Sequence, residues 1–246
     1  MHKKLVLTAL IGGFVSTGAM ADGFYIAPKL SLNTTSVDES RVETKVISGA
    51  WSEFTGNKQE SWDGKKTQLS PKFSAGYQFD LQKYGLLSIE AEYGATKNHF
   101  NAANAMYDFA GATPNDSDTR DFAYNEKTIS LNAIYGYQVK NVIPYVTAGI
   151  GYSTIESENN FRSGAYWWET RDQESNISWN IGAGVEVPVI DTVSLTFAYM
   201  YTDLGNVKYS NNMYHNKGTT EGIKRRFNSK VDLSKQEITA GLKIKF

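Results

Sequence analysis

The chain has 246 residues, a formal net charge of −1, 41% hydrophobic and 13% aromatic residues, and no cysteine. So many aromatics beside only five prolines exclude a disordered chain, and the absence of cysteine excludes disulfides and thiolate chemistry. The balanced charge offers no basic field of the kind nucleic acid requires, and the length allows two domains, or one if the fold is a barrel.

Residues 1–21, MHKKLVLTALIGGFVSTGAMA, pair a short basic start (His2, Lys3, Lys4) with an apolar run over residues 5–15 and small residues at Ala19 and Ala21. This is the layout of a secretory signal peptide. Gly12, Gly13, Ser16 and Thr17 interrupt the run before it reaches the roughly 20 apolar residues of a membrane-spanning helix. An N-terminal core helix is the alternative. Residues 22–246 are the expected mature domain, which loses two positive charges with Lys3 and Lys4. No later stretch is apolar for 18 residues, so no helix is expected to cross a membrane.

Period two then appears eight times. GFYIAPKLSLN sets Phe24, Ile26, Pro28, Leu30 and Leu32 against Ala27, Lys29 and Ser31. LSPKFSAGYQFD sets Leu69, Pro71, Phe73, Ala75, Tyr77 and Phe79 against Ser70, Lys72, Ser74, Gly76 and Gln78. A short link at residues 81–85 leads to LLSIEAEYGA, with Leu87, Ile89, Ala91 and Tyr93 opposed to Ser88, Glu90 and Glu92. KTISLNAIYGYQV, PYVTAGIGY, SWNIGAGVEV and VSLTFAYMYT repeat the pattern, and QEITAGLKIKF closes it with Ile238, Ala240, Leu242, Ile244 and Phe246 on one parity and Glu237, Thr239, Gly241, Lys243 and Lys245 on the other. Alternation of this kind predicts strands with two different environments.

Short links at residues 81–85, 141–144 and 189–192 alternate with four long polar segments, among them residues 34–66, 155–176 and 203–234. Short turns at one end and long loops at the other are the layout of a transmembrane β-barrel, turns periplasmic and loops extracellular. The polar parity carries Lys29, Lys72, Glu90, Glu92, Glu186, Glu237 and Lys243 with many glycines and serines, while aromatics such as Phe24, Phe79, Tyr137, Tyr201 and Phe246 gather at the ends of the apolar parity. Charges and small residues suit the narrow lumen of an eight-stranded barrel, and aromatics suit the membrane interfaces. A soluble barrel with its charges outward would leave those glycines on a solvent face for no reason. The expected fold is therefore all-β: an eight-stranded antiparallel transmembrane barrel with four long extracellular loops and three short periplasmic turns. Lys29, Lys72, Glu90 and Glu92, on three consecutive strands and one parity, are expected to form ion pairs inside it, because lone buried charges cost several kcal/mol.

The stretches PYVTAGIGYS, WNIGAGVEV, LTFAYMYTDLGNV and ITAGLKIKF resemble the opacity-type family of eight-stranded outer-membrane proteins, most strongly from Pro144 onward. The terminal aromatic with apolar residues at every second position before it is similar to the signal read by the barrel assembly machinery of the outer membrane. The resemblance implies an outer-membrane adhesin or invasin whose loops bind host-surface molecules, lying in lipid and lipopolysaccharide. A small porin or transport channel is the alternative.

The candidate site residues lie in the long segments. GAYWWETRD groups Tyr166, Trp167 and Trp168 between charges, as binding hot spots or as packing within the loop and at the outer leaflet. Residues 203–234 carry Lys208, Lys217, Lys224, Arg225, Arg226 and Lys230 against three acids, whereas residues 155–176 hold Arg162 and Arg171 against five acids. The basic segment reads as a site for a polyanion such as a host glycosaminoglycan, with arginine forks suited to sulfate, or as a counter-ion for lipopolysaccharide phosphates or the acidic loop. No enzyme is expected. His99 and His215 are the only histidines of the mature chain, and no cysteine or paired histidine offers a zinc site. The acidic run at residues 112–121 lacks the glycine and glutamate of a calcium loop, and no cofactor is expected.

Overall fold

The computed structural model describes residues 23–46, 59–103, 119–163, 166–215 and 225–246, with side chains described for 23–38, 64–99, 123–158, 171–208 and 230–246. The signal segment, Lys217 and Lys224 lie outside the described residues. Eight strands follow one another: β1 Gly23–Val46, β2 Gln59–Asp80, β3 Leu86–Ala103, β4 Thr119–Gly136, β5 Ile143–Ser163, β6 Tyr166–Ile190, β7 Val193–His215 and β8 Arg225–Lys245. Each pairs antiparallel with its neighbours, and β8 pairs with β1 to close the barrel. The seal at the turn end is completed by the Phe246 N–H, which donates to the Phe24 carbonyl at 2.9 Å.

Alternation sorts the side chains as the two parities require. Phe24, Leu30, Leu32, Leu69, Phe73, Ile89, Leu131, Ile150, Ile181, Phe197, Ile238 and Leu242 are exposed around the outside, while Ser31, Ser74, Asn132, Thr147, Asn180 and Thr239 are buried inside. A barrel whose exposed belt is apolar and whose interior is polar is built for lipid. Inward glycines leave room for large lumen side chains. A Cβ on Gly76 would lie 2.7 Å from the Tyr25 ring, and one on Gly184 would lie 2.5 Å from the Tyr145 ring.

The strands are much longer than the sequence suggests. They run from 18 to 25 residues, where roughly 9–11 span a bilayer. Residues 33–46 of β1 alone continue past the belt for roughly 45 Å of strand. Much of what reads as loop is therefore hairpin: residues 34–46 and 59–66 are strand, and only residues 164–165 separate β5 from β6. The segments expected as long extracellular loops thus carry strand over much of their described length.

Beyond the belt the wall parts along two seams. β2 and β3 pair only from Lys72↔Gly94 down to Asp80↔Leu86, although both continue as strands. Pro71, which has no N–H to give a ladder, stands where that pairing stops. β6 and β7 separate above Trp179↔Asp203 and meet again only at Trp167↔Tyr214 and Tyr166↔His215. Across this second seam the Asn176 side chain donates to the Asn206 carbonyl at 2.8 Å. The extension is thus two four-stranded sheets, β2–β1–β8–β7 and β3–β4–β5–β6. Between them pack Val37, Leu204, Val207, Val231 and Leu233 of the first sheet and Tyr124 and Ile155 of the second, none more than 2% exposed. A bulge lets β7 contribute twice: Gly205, at φ 78°, donates its N–H to Asp203 Oδ1 at 2.8 Å, and the extra residue shifts the inward parity from Leu204 to Val207.

Candidate functional site

The four charges singled out in the sequence turn inward from β1, β2 and β3 and meet. Lys29 Nζ lies 2.6 Å from Glu90 Oε1 and 2.8 Å from Glu92 Oε2, and Lys72 Nζ lies 3.0 Å from Glu92 Oε1. The chain of charge then runs on through residues that the ion-pair expectation omitted: Lys72 reaches Glu237 at 2.7 Å, and Lys235 reaches Glu237 at 3.2 Å and Glu126 at 2.8 Å. Lys235 and Glu126 share the inward parity of Glu237 and Ser130, so strand phase was the signal that could have found them. The Lys235–Glu237 contact has ion-pair distance but not hydrogen-bond geometry, since Glu237 Oε1 is left without a hydrogen-bond donor. Nearer the turns, Lys243 lies 2.9 Å from Glu186, donates to Gln78 Oε1 at 2.6 Å and sits 4.4 Å from the Tyr25 ring centroid. Burial of these ions is tolerable because each has an opposite charge in contact; removing one partner would leave the other stranded.

Two further layers close the lumen above the ions. Asn33 donates to Thr96 at 3.2 Å, and Asn98 donates to Tyr124 at 2.8 Å and Thr35 at 3.4 Å, so β1 and β3 join hands across the interior. The apolar cluster between the two sheets lies above them. Near the turns a cavity of about 40 Å³, lined by Tyr25, Glu90, Tyr145, Glu186 and Lys243, has space for about one water.

Two of the cationic candidates have described side chains, and they stand on the extension. Lys208 of β7 and Lys230 of β8 are direct cross-strand partners, and both are exposed. Like charges placed opposite each other destabilise a sheet; here Asp232 offsets part of the repulsion, 2.8 Å from Lys230. Arg225 and Arg226 lie in β8, opposite Met213 and Asn212 of β7 and Val46 and Lys45 of β1. The backbone at Arg225 and Arg226 is thus strand. Tyr166, Trp167 and Trp168 are likewise in strand, at the start of β6, paired with Ser163, Arg162 and Phe161. The structure brings Lys208 and Lys230 together and sets Tyr166 beside His215 on the neighbouring strand. Among the described residues no cluster of His, Asp and Glu is arranged to hold a metal.

A closed eight-stranded barrel with an apolar belt and a polar, ion-paired interior defines an integral protein of the bacterial outer membrane. The chain belongs to the outer membrane protein beta-barrel domain family, whose model matches residues 5–246. It is 32% identical over 117 residues to the 25 kDa outer-membrane immunogenic protein of Brucella canis, covering 48% of this chain and 45% of that protein. The chain thus spans less than half the length of the curated relatives it matches. Among solved structures it is similar to the outer membrane protease OmpT of Escherichia coli (TM-score 0.57, 9% identity, 94% and 99% of the two chains) and to a major outer membrane protein of Thermus thermophilus (TM-score 0.51, 10% identity, 89% and 99%). At these identities the likeness is one of fold.

Proposed function

We propose that the protein is a surface adhesin whose extracellular hairpins bind sulfated host glycans, rather than a channel or an enzyme. The observation that carries this reading is the pairing of Lys208 with Lys230 on the outer face of a strand extension held well above the lipid. Two cations opposed on a rigid sheet cost stability in the free protein, and that cost is relieved when an anion lies between them. The register also places Lys45 opposite Arg226 one ladder further on, so two more cationic residues lie on strands of the same sheet. The layered closure of the lumen argues against the porin reading, because an open pore has no use for seven charges joined in one chain. The opacity-type resemblance of the strands is in keeping with this role.

Binding of refolded protein to immobilised heparin over a salt series tests it. Lys208→Ala with Lys230→Ala is expected to weaken binding and flatten the salt dependence, since fewer counter-ions are exchanged. Unchanged binding and slope would remove the site from these residues. A steady ionic conductance of the intact barrel in planar bilayers would instead favour the channel.

A further inference from the structure

We propose that the free edge of β2 above the membrane, residues 64–70, takes up an extended acidic segment of a partner protein as an added strand. β2 is the outermost strand of its sheet there: it keeps its ladder with β1, but its ladder with β3 ends at Lys72↔Gly94. Residues 64–70 run on for roughly 24 Å, and the amide and carbonyl groups of one edge are claimed by no described strand. Pro71, at the foot of the seam, has no N–H to offer β3. The faces are open too. Lys66 has the inward parity of Ser70 and Lys72, which are buried, yet it is exposed, as are Lys65, Thr67 and Leu69. Across from Lys66 and Gly64 on β1, Thr35 and Val37 are buried. The inner packing of the extension therefore stops at β1, and β2 projects past it, open along one edge and, at Lys65 and Lys66, on both faces.

An open edge recruits another strand through main-chain hydrogen bonds, and its side chains decide which strand fits. Here charge decides. Lys65 and Lys66 are consecutive, so they point to opposite faces of the strand. The residues across from them on β1 are Ser36 and Thr35, not acids, and neither lysine has an ion pair among the described residues. Lys97 stands exposed on the opposite bank, on β3 above Gly94. A second copy of this chain is a poor occupant, because β2 laid against β2 gathers the lysines of both copies, and like charges opposite each other destabilise a sheet. A strand with two neighbouring carboxylates has the reverse balance: one acid lies on each face, where Lys65 and Lys66 meet them as cross-strand pairs. The occupant is thus an extended polypeptide segment with adjacent Asp or Glu residues. The Lys208–Lys230 pair lies on β7 and β8, away from this edge, so the two sites fail or survive separately.

The test uses the refolded full barrel in lipid nanodiscs and a threonine-rich synthetic peptide carrying two adjacent glutamates. Fluorescence anisotropy of the labelled peptide measures affinity, and hydrogen exchange of the barrel amides locates the contact. Binding is expected to slow exchange within residues 64–70. Lys65→Glu with Lys66→Glu is expected to weaken binding about tenfold or more, since two favourable cross-strand pairs become repulsive; the heat-dependent shift of gel mobility checks that the variant is folded. The same two-charge reversal at the periplasmic turns, Lys83→Glu with Lys140→Glu, should leave affinity unchanged, which separates a local site from net charge. Exchanging the peptide's glutamates for glutamine, or N-methylating its backbone with the glutamates kept, should abolish binding. Equal binding of the N-methylated peptide would overturn the proposal and make the lysines a site for polyanions in general. No binding of the parent peptide would overturn it as well, leaving the lysines as guards of the edge against self-pairing. So would native affinity in the folded Lys65→Glu, Lys66→Glu variant.

Discussion

The lower and upper halves of the same eight strands have opposite insides. In the belt, β8 sends Ile238, Ala240 and Leu242 to lipid and Glu237, Thr239 and Lys243 to the lumen; a few residues further up, it sends Asp232 and Lys230 outward and Val231 and Leu233 inward. The alternation never breaks along β8, yet its chemistry reverses where the surrounding solvent changes from hydrocarbon to water. A membrane barrel and a water-soluble two-sheet module are thus stacked on one set of strands, each obeying the burial rule of its own medium. The upper half needs an apolar core because water surrounds it; the lower half cannot gain from one, because lipid is as apolar as leucine.

This contrast can be broken in order of expected effect. Glu237→Leu should be the most damaging change, removing the common partner of Lys72 and Lys235 at a cost of about 3–5 kcal/mol. Urea unfolding in lipid vesicles measures it, and the double change Glu237→Leu, Lys235→Leu should recover part of the loss. Leu242→Arg, on the lipid face, should cost ~2–4 kcal/mol near the midplane. The corresponding outward change in the upper half, Asp232→Arg, should leave folding near its native level in the same assay. Leu233→Ala should cost ~2–4 kcal/mol through the cavity left between the sheets, and it should loosen the extension while the belt stays intact. Protease cleavage confined to the upper hairpins would report that selectivity; loss of the whole barrel would show that the two halves do not act independently. Smallest of all, the exposed Lys230→Ala should barely alter stability in the same assay.

The lower half was legible in the sequence and the upper half was not, for a physical reason. Membrane segments show one dense apolar parity and one polar parity, so Phe24 through Leu32 or Ile238 through Phe246 declare both strand and face. Above the belt the outward parity turns polar, and the inward parity is only sparsely apolar: Val37 follows Asn33 and Thr35, and Val231 and Leu233 precede Lys235. Such stretches read as loop. On β7 the bulge at Gly205 also shifts the phase, so odd positions that faced lipid at Phe197 and Tyr199 face the core at Val207. The lumen charges of the first three strands could be named from parity. Their continuation to Glu126 and Lys235 required the ends of β4 and β8 to be recognised as strand. The opposition of Lys208 and Lys230 depends on register, which no single segment reveals.

The lumen ion chain ties neutralisation to the arrival of one strand. Lys72 of β2, Glu126 of β4 and Glu186 of β6 each find an opposite charge on β8, at Glu237, Lys235 and Lys243. β8 is also the last of the eight barrel strands in chain order and the one whose pairing with β1 turns a curled sheet into a ring. Until it docks, Glu126 and Glu186 face the interior without these lysines, and an open sheet carrying them is poorly suited to a hydrocarbon environment. Closure of the hydrogen-bonded ring and discharge of the interior are therefore a single event. A chain stalled before its final strand carries its own electrostatic mark of incompleteness.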